Sequence, residues 1–254
     1  MELIDTHCHL DLPAFDADRT QVLARCRAGG VTRIVVPGIR AADWTRLGTL
    51  CASEDGLYPA LGLHPLFLDR HADADLQALS QAIGDHRPVA VGEIGLDFHL
   101  PEPDRTRQVA LLQAQLAIAR DADLPVLLHV RKAHDETLAL LRKAGLRGGI
   151  CHAFNGSAQQ ARQYIELGFK LGFGGMLTYQ RSHKLHRLAR DLPLTAMVLE
   201  TDAPDMAPAD HRGQRNSPEY LPEVLQSLAC LREEDAATIA RQTTANAIEL
   251  LKLT

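Results

Sequence analysis

The order of apolar and polar positions along the chain predicts short β-strands that alternate with helices. Eight short runs are rich in apolar and β-branched residues, as strands are. These predicted strands are LIDTH (3–7), RIVVPG (33–38), YPALGLH (58–64), PVAVGEIG (88–95), PVLLHV (125–130), GGICHAF (148–154), FKLGFGG (169–175) and MVLETD (197–202). Because strand and helix alternate eight times, the pattern indicates a parallel sheet.

The segments between these runs have the spacing of amphipathic helices. In residues 104–124, one apolar face is formed by Val109, Leu112, Leu116 and Ala119. Such segments tend to end at Gly or before Pro, where helices commonly stop, as at Gly145. The chain therefore reads as repeated strand–helix units.

The length and the repeat together favour one α/β domain, residues 1–254, folded as a closed (β/α)8 TIM barrel. A doubly wound open sheet is the alternative fold with the same pattern. Residues 203–220, rich in Pro, Asp and Arg, are predicted to form the loop after the last strand. Residues 217–253 are predicted to form two or three C-terminal helices.

Composition narrows the class of protein without changing the predicted fold. Of the 254 residues, 46% are hydrophobic and 23% are charged, which suits a folded chain with a sizeable core. The formal net charge is −5, whereas proteins that coat nucleic acids are usually basic. Any contact with phosphate is therefore expected to be local or to be made through bound cations.

The cysteines and the N-terminal sequence indicate in which cellular compartment the protein is expected. Five widely spaced cysteines without a CxxC pair argue against a disulfide framework. The first residues do not have the pattern of a signal peptide, and no apolar run approaches the roughly 18 residues of a membrane span. We expect a soluble cytoplasmic protein with no membrane contact and no obligate protein partner.

Residue types that bind metals gather at the predicted carboxyl ends of the strands, where parallel barrels hold their functional groups. His7 and His9 are two apart, so their side chains would point the same way from one strand. The residues so placed, from six strands, are His7, His9, His64, Glu93, His129, His152 and Asp202. Any one of these histidines could instead be a buried, hydrogen-bonded residue with a structural role. Such a role does not readily explain why all of these residues occur together at strand ends.

Glu93 lies within the apolar segment VAVGEIGLD, where an unpaired carboxylate would be costly to bury and a cation would remove that cost. A carboxylate has two oxygens, so Glu93 is predicted to bridge two metal ions. The other predicted ligands are His7, His9 and Asp202 at one site, and His129 and His152 at the other. Imidazole and carboxylate ligands without a thiolate suit Zn, Mn or Mg.

Eight motifs follow one another along the chain: DTHCHLD, GLHP, VGEIGLD, LPVLLHVRKAHDE, GGICHAFNGS, LGFGGMLTY, LETDAPDMAP and GQRNSPEYL. In this order they resemble the TatD family of metal-dependent deoxyribonucleases, and the resemblance runs from residue 3 to about residue 250. The segment ETDAPDM is similar to a subgroup of TatD-like bacterial paralogues. The resemblance implies a TIM-barrel hydrolase with a two-metal centre.

The resemblance also implies roles for individual residues. The predicted ligands match the family's ligand positions one by one: His7, His9, Glu93, His129, His152 and Asp202. His64 matches a family histidine that lines the substrate pocket. One departure is Ala153, which follows His152 where the family commonly has cysteine. Because the ligand itself is kept, we expect little effect on metal binding.

The reaction expected of such a centre is metal-assisted hydrolysis of a phosphodiester. Two cations would lower the pKa of a water molecule and hold the phosphate oxygens. Asp202 is the predicted general base that orients the attacking water. Glu93 and His64 are the other predicted catalytic residues.

Substrate contacts are predicted around the same rim. His64 and Arg131 would neutralise charge on the phosphate, although a surface ion pair is the alternative role for Arg131. Asp205 and Arg215, in the last loop, are further candidates. Because a terminal nucleotide can enter a deep pocket more easily than the middle of a stiff duplex, we expect exonuclease action on DNA ends, with single strands preferred. The family resemblance favours the 3′ end.

Two other functions stay open at this point. The same centre would also be able to polarise the carbonyl of a small amide or ester. Activity on DNA compared with activity on a panel of amides and esters separates these two enzymes. The third function is a non-catalytic binding module stabilised by metal. The complete ligand set with Asp202 argues against it, because a purely structural site need not keep an open position.

Overall fold

The predicted alternation of strands and helices forms a parallel barrel in the computed structural model, which describes residues 1–99 and 101–253. The strands of this described part, β1 to β8, are Leu3–Asp5, Val31–Pro37, Leu57–Leu61, Ala90–Asp97, Val126–Arg131, Gly149–Cys151, Phe169–Phe173 and Met197–Leu199. The predicted (β/α)8 TIM barrel is confirmed, and the doubly wound alternative is wrong. The predicted domain, 1–254, also includes Leu100 and Thr254, which lie outside the described residues; its boundaries stay a prediction.

A helix follows each strand, and one more helix follows the last of these. The α-helices of the described chain, α1 to α9, are Arg19–Ala28, Trp44–Ser53, Ala74–His86, Arg105–Asp121, His134–Ala144, Ala158–Glu166, His183–Asp191, Leu221–Arg232 and Ala236–Leu251. The last two are the predicted C-terminal helices. No helix in the described ranges is both long enough and apolar enough to cross a membrane.

Neighbouring strands pair in parallel and in chain order from β1 to β8. The barrel closes at the seam where β8 meets β1. The Thr6 N–H donates to the Leu199 carbonyl over 3.0 Å. The Thr201 N–H donates to Asp5 Oδ1 over 3.0 Å, and the Thr201 hydroxyl donates to Asp5 Oδ2 over 2.5 Å. A buried side chain therefore joins the first and last strands.

The core has two layers, because successive side chains of a strand point to opposite faces of the sheet. One layer fills the barrel interior with small and branched residues from seven of the described strands: Ile4, Val35, Ala60, Ala90, Leu127, Ile150 and Val198. Helix α9 covers this layer with Ala247, Leu250 and Leu251. The other layer packs the outer face of the strands against the surrounding helices.

Several paired strands are shorter than the runs predicted from sequence. Extended chain continues beyond them with isolated backbone bonds, as where the His152 N–H donates to the Leu128 carbonyl over 3.0 Å. His7, His9, His64 and Asp202 likewise lie just past strand ends. Glu93 was expected at the end of its strand, but β4 continues to Asp97, so Glu93 lies within it.

Candidate metal centre and its cavity

Glu93 lies at the centre of the site. Strand β4 is buried along its whole length, and the Glu93 side chain is only 2% exposed. Burial opposes ionisation, but interactions with the surrounding imidazoles, His64 first and then His7, hold the pKa of Glu93 well below its usual range. The carboxylate is therefore ionised inside the protein and needs positive charge around it.

The Oε2 atom of Glu93 faces the two histidines that follow β1. It lies 3.2 Å from His7 Nε2 and 3.4 Å from His9 Nε2. Asp202, after β8, places Oδ1 3.8 Å from His7 Nε2 and 3.7 Å from His9 Nε2. The ligand atoms of His7, His9 and Asp202 all lie within 4.8 Å of one another. The structure therefore brings together the three side chains predicted for the first metal site.

The Oε1 atom of Glu93 faces three other histidines. It lies 3.2 Å from His129 Nδ1, 3.3 Å from His64 Nε2 and 3.6 Å from His152 Nε2. His129 and His152 were predicted to share the second site, and their ring centroids are 6.3 Å apart. The ring of His152 also stacks on His7 at 3.8 Å. His152 therefore stands between the two sides of the carboxylate.

Asp202 is held in place by its own backbone. Its N–H donates to the His7 carbonyl over 2.8 Å, and its φ of 59° lies in the left-handed region, which Asp tolerates better than most residues. Burial raises the pKa of Asp202 to about 6, against the lowering effect of His152 and His9. A carboxyl group with a pKa near 6 is ionised at neutral pH and suited to accepting a proton.

The imidazoles differ in protonation. Burial, with the charge of His152, lowers the pKa of His7 to about 3, so this ring is neutral. Burial also opposes a charge on His9, but Glu93 and Asp202 raise the pKa of His9 to about 9. In the same way, Asp202 and neighbouring carboxylates overcome burial and raise the pKa of His152 to about 10. The carboxylates thus hold protons on two buried rings.

This donor set fits divalent cations. The buried carboxylates are negatively charged and hold protons on the neighbouring imidazoles, so the site favours positive charge. A divalent cation supplies more positive charge than a proton does. The available donors are carboxylate oxygens and imidazole nitrogens, as Zn, Mn and Mg accept. The two cysteines next to ligands, Cys8 and Cys151, are instead buried in the packed core.

Asp97, which the sequence analysis did not single out, orients His129. Its Oδ2 lies 2.9 Å from His129 Nε2, and its Oδ1 accepts the His99 N–H over 2.8 Å. With the Nε2–H directed at Asp97, His129 turns Nδ1 towards Glu93. Asp97 is four residues after Glu93 in β4, and this even spacing was the available signal.

Glu200 orients His152 as Asp97 orients His129, but it contacts the other ring nitrogen, Nδ1. Its Oε1 lies 3.2 Å from His152 Nδ1 and accepts the Ala153 N–H over 2.5 Å, and the side chain is buried. His152 consequently presents Nε2 to the centre. Glu200 lies two residues before Asp202, so the same even spacing points to it.

His64 differs from the other imidazoles in its tautomer. Its Nδ1 accepts the Leu66 N–H over 3.1 Å, and burial lowers its pKa, so the ring is neutral with its proton on Nε2. A protonated nitrogen donates a hydrogen bond and does not ligate a metal. His64 is therefore arranged as a donor that points to Glu93, which agrees with a place in the substrate pocket.

A cavity of about 830 Å³ opens above this centre, within the size range of ligand sites. Arg131 and Asp205, two of the predicted substrate contacts, line it. Arg215 is not among the described residues that line it. Its guanidinium instead pairs with both Asp18 oxygens over 2.7 Å and lies over the Phe15 ring. This pairing connects the last loop to the residue before α1, and the predicted substrate contact of Arg215 stays a prediction.

Comparison with known proteins agrees with this geometry. Residues 4–252 match the family described as TatD related DNase. The uncharacterized metal-dependent hydrolase YjjV of Escherichia coli is 43% identical over 254 residues, which cover 98% of each chain. The crystal structure of YjjV, a TatD homolog from E. coli, has a TM-score of 0.96 at 42% identity and covers 99% of this chain and 98% of its own.

A more distant relative carries a described activity. The 3′-5′ ssDNA/RNA exonuclease TatD of Klebsiella pneumoniae is 32% identical over 251 residues, which cover 96% of this chain and 95% of that protein. The family match spans nearly the whole chain, and the cluster of histidine and carboxylate side chains lies where a metal-dependent hydrolase needs it. The chain is therefore a metal-dependent hydrolase that belongs to the TatD-related DNase family.

Proposed function

We propose that this protein is an exonuclease that hydrolyses the phosphodiester bonds of single-stranded DNA from the 3′ end through two divalent cations. The observation that carries the proposal is the division of histidines between the two oxygens of one buried carboxylate, Glu93. The name of the Klebsiella relative, a 3′-5′ ssDNA/RNA exonuclease, supports the substrate and the polarity.

The cations, as Zn, Mg or Mn, would lower the pKa of a water molecule and hold the phosphate oxygens. The proposed ligands are the side chains grouped around the centre: His7, His9, Glu93, His129, His152 and Asp202. Asp97 and Glu200 keep two of the imidazoles turned so that one nitrogen of each faces Glu93, and this nitrogen would hold a cation in place of a proton.

Asp202 is the proposed general base. Its pKa of about 6 leaves a carboxylate at neutral pH that accepts the proton of the attacking water. Its N–H bond to the His7 carbonyl fixes the main chain from which the side chain projects. The same carboxylate would also be a cation ligand, with Oδ1 3.8 Å from His7 Nε2 and 3.7 Å from His9 Nε2.

His64 and Arg131 are the proposed phosphate contacts. His64 Nε2, which lies 3.3 Å from Glu93 Oε1 in the cavity wall, would donate its hydrogen to a phosphate oxygen, and the bond from Leu66 N–H to Nδ1 keeps this proton on Nε2. Arg131, exposed at the end of β5, adds positive charge at the rim. Asp205, exposed at the same cavity, would accept a hydrogen bond from a sugar hydroxyl of the terminal nucleotide.

We also propose that the protein acts in the cytoplasm, without a membrane or an obligate protein partner. Its five cysteines are all free, and four of them are buried, as expected in a reducing compartment.

The test combines metal analysis with substrate topology. The purified protein is assayed for metal content and for nuclease activity before chelation, after chelation and after metal add-back. The DNA substrates are 5′-labelled single strands, duplexes and covalently closed single-stranded circles. We expect chelation to abolish activity, add-back to restore it, and linear strands to shorten progressively from the 3′ end while circles resist.

Efficient cleavage of the circles would contradict entry from an end. Hydrolysis of small amides or esters without any cleavage of DNA would replace the nuclease by the alternative hydrolase.

A further inference from the structure

The mouth of the cavity carries two exposed apolar side chains. Among the described residues, only three large apolar side chains are exposed, and two of them, Leu66 at 43% and Met176 at 39%, line this cavity. Exposed apolar side chains at the mouth of a cavity indicate that a ligand packs an apolar group against them. We call Leu66 and Met176 the apolar pair.

Two cationic side chains lie at the same mouth. Arg181 and Lys184, before and within the first turn of α7, line the cavity near Met176 and are exposed. The Lys184 ammonium donates to the Asn155 carbonyl, and neither residue forms an ion pair with any described residue. Their positive charge is therefore available to an anion in the cavity. We call these two residues the basic lip.

The segment that carries Met176 and Arg181 is held by bonds to itself and to the loop after β8. The Ser182 hydroxyl donates to the Met176 carbonyl over 2.7 Å. The Tyr179 hydroxyl donates to the Ala207 carbonyl over 3.0 Å, and the Ala209 N–H donates to the Thr178 hydroxyl over 2.7 Å. This part of the mouth is therefore formed before a ligand arrives, which lowers the entropy cost of binding.

We propose that the basic lip binds the phosphate next to the scissile one in a single-stranded polynucleotide, and that the apolar pair contacts the terminal base. A polynucleotide presents anionic phosphates and flat apolar bases in regular alternation, so it matches a mouth that holds both kinds of side chain. This inference rests on the proposed function. It adds that the enzyme selects chains of nucleotides over isolated phosphodiesters.

The test uses two probes with Mg²⁺ or Mn²⁺ present. One is the 4-nitrophenyl ester of thymidine 5′-phosphate, which has a single phosphodiester and no neighbouring phosphate. The other is a 5′-labelled pentathymidylate. The variant is R181Q/K184Q, and the matched control is R187Q/R190Q, which removes the same charge from exposed positions of α7 that do not line the cavity.

We expect R181Q/K184Q to raise KM for the pentathymidylate by about tenfold relative to KM for the nitrophenyl ester, the size of lost charge-assisted hydrogen bonds. The control should leave this ratio at the wild-type value. The salt dependence gives a second readout, because a phosphate contact with a single strand contributes roughly 0.7 to the slope. Because the basic lip is proposed to bind one phosphate, the variant should lower the slope for the pentathymidylate by about 0.7.

The apolar pair is tested by L66S/M176S, which should raise KM for both probes because each carries a ring beside the scissile phosphate. The inference about the basic lip is overturned if R181Q/K184Q shifts both probes equally or behaves like the control. An unchanged KM in L66S/M176S overturns the role of the apolar pair. A wild-type protein that cleaves neither probe instead contradicts the proposed function, so the two failures are distinct.

Discussion

At the scale of single residues, the site is organised around one carboxylate that the fold buries completely. Glu93 is stable in the core only because imidazoles surround it, and the same imidazoles are the donors that a cation needs. Removing the carboxylate should therefore disturb every part of the centre, whereas removing one imidazole should disturb only one side.

Glu93→Ala is expected to lose metal at both proposed sites, because both bridging oxygens disappear. His129→Ala should keep the ion held by His7, His9 and Asp202. Metal content after dialysis, measured by plasma mass spectrometry, checks both variants. Glu166→Ala, at an exposed helix end, is the control and should keep the wild-type content. A wild-type stoichiometry in Glu93→Ala would rule out the bridging role.

Asp202→Asn keeps the size of the side chain and one ligand oxygen but loses the proton acceptor. We expect turnover to fall by about 10²-fold or more, with a modest change in KM. Steady-state kinetics on a 5′-labelled single strand measure this. Asp210→Asn, exposed in the same loop, is the control. Normal turnover in Asp202→Asn would remove Asp202 from the mechanism.

The protonated histidines predict how the metal-free protein responds to pH. The pKa values of His9, about 9, and His152, about 10, are raised above the ordinary 6.5. Their stabilising contribution is therefore complete below pH 6.5 and is lost as the pH rises through 9 to 10. The pKa of His7 is lowered to about 3, so its effect on stability is the opposite. The folded protein becomes less stable as the pH falls from 6.5 towards 3, because the unfolded chain binds a proton at His7 first.

Thermal unfolding of the chelated protein should accordingly show a Tm that falls as the pH rises from 6.5 to 9.5. Protein reloaded with cations should lose less stability in this range, because cations replace the protons. A Tm of the chelated protein that stays level from pH 6.5 to 9.5 would contradict the assigned protonation states.

At the scale of elements, the seam between β1 and β8 determines where the side chains of the first proposed metal site meet. His7 and His9 follow one strand and Asp202 follows the other, so their distances depend on how these strands are joined. Asp5 accepts the His7 N–H over 3.2 Å in addition to its two bonds from Thr201. Burial raises the pKa of Asp5 to about 8, so the group is largely neutral at pH 7.

Asp5→Ala should destabilise the protein by about 2–4 kcal/mol, because buried N–H and hydroxyl groups lose their partner. Asp5→Asn should cost much less, since its amide is neutral and keeps an oxygen for the N–H bonds. Urea unfolding at pH 7 measures the free energy of unfolding of both variants. Equal destabilisation by Ala and Asn would mean that these hydrogen bonds do not hold the seam.

At the scale of the whole molecule, the net charge of −5 limits long-range attraction to DNA. Binding should therefore depend on a few contacts at the cavity mouth. We expect log(kcat/KM) on a linear single strand to fall with log[salt] with a slope of about 2, as for three phosphate contacts at roughly 0.7 each. Activity measured from low to high KCl checks this, and a slope typical of six or more contacts would contradict it.

The sequence by itself determined the fold and which histidine and acidic side chains gather at one end of the barrel. Alternation of apolar strands and amphipathic helices is a local property, and eight repeats leave few ways to bury the resulting sheet. Side chains two apart share a face, so an interior residue such as Leu127 or Ile150 places the following His129 or His152 towards the barrel axis. The predicted histidines and acids therefore meet, as the structure confirms.

Only the tertiary structure decided how these side chains pair. Which nitrogen of His129 faces Glu93 depends on Asp97, and the proton on His64 depends on the Leu66 N–H. Arg215, a predicted substrate contact, pairs with Asp18, which is far away in the chain. Hydrogen bonds and ion pairs act over about 3 Å between residues distant in sequence. A linear pattern reports which side chains share a face, whereas the closed barrel sets which atoms touch.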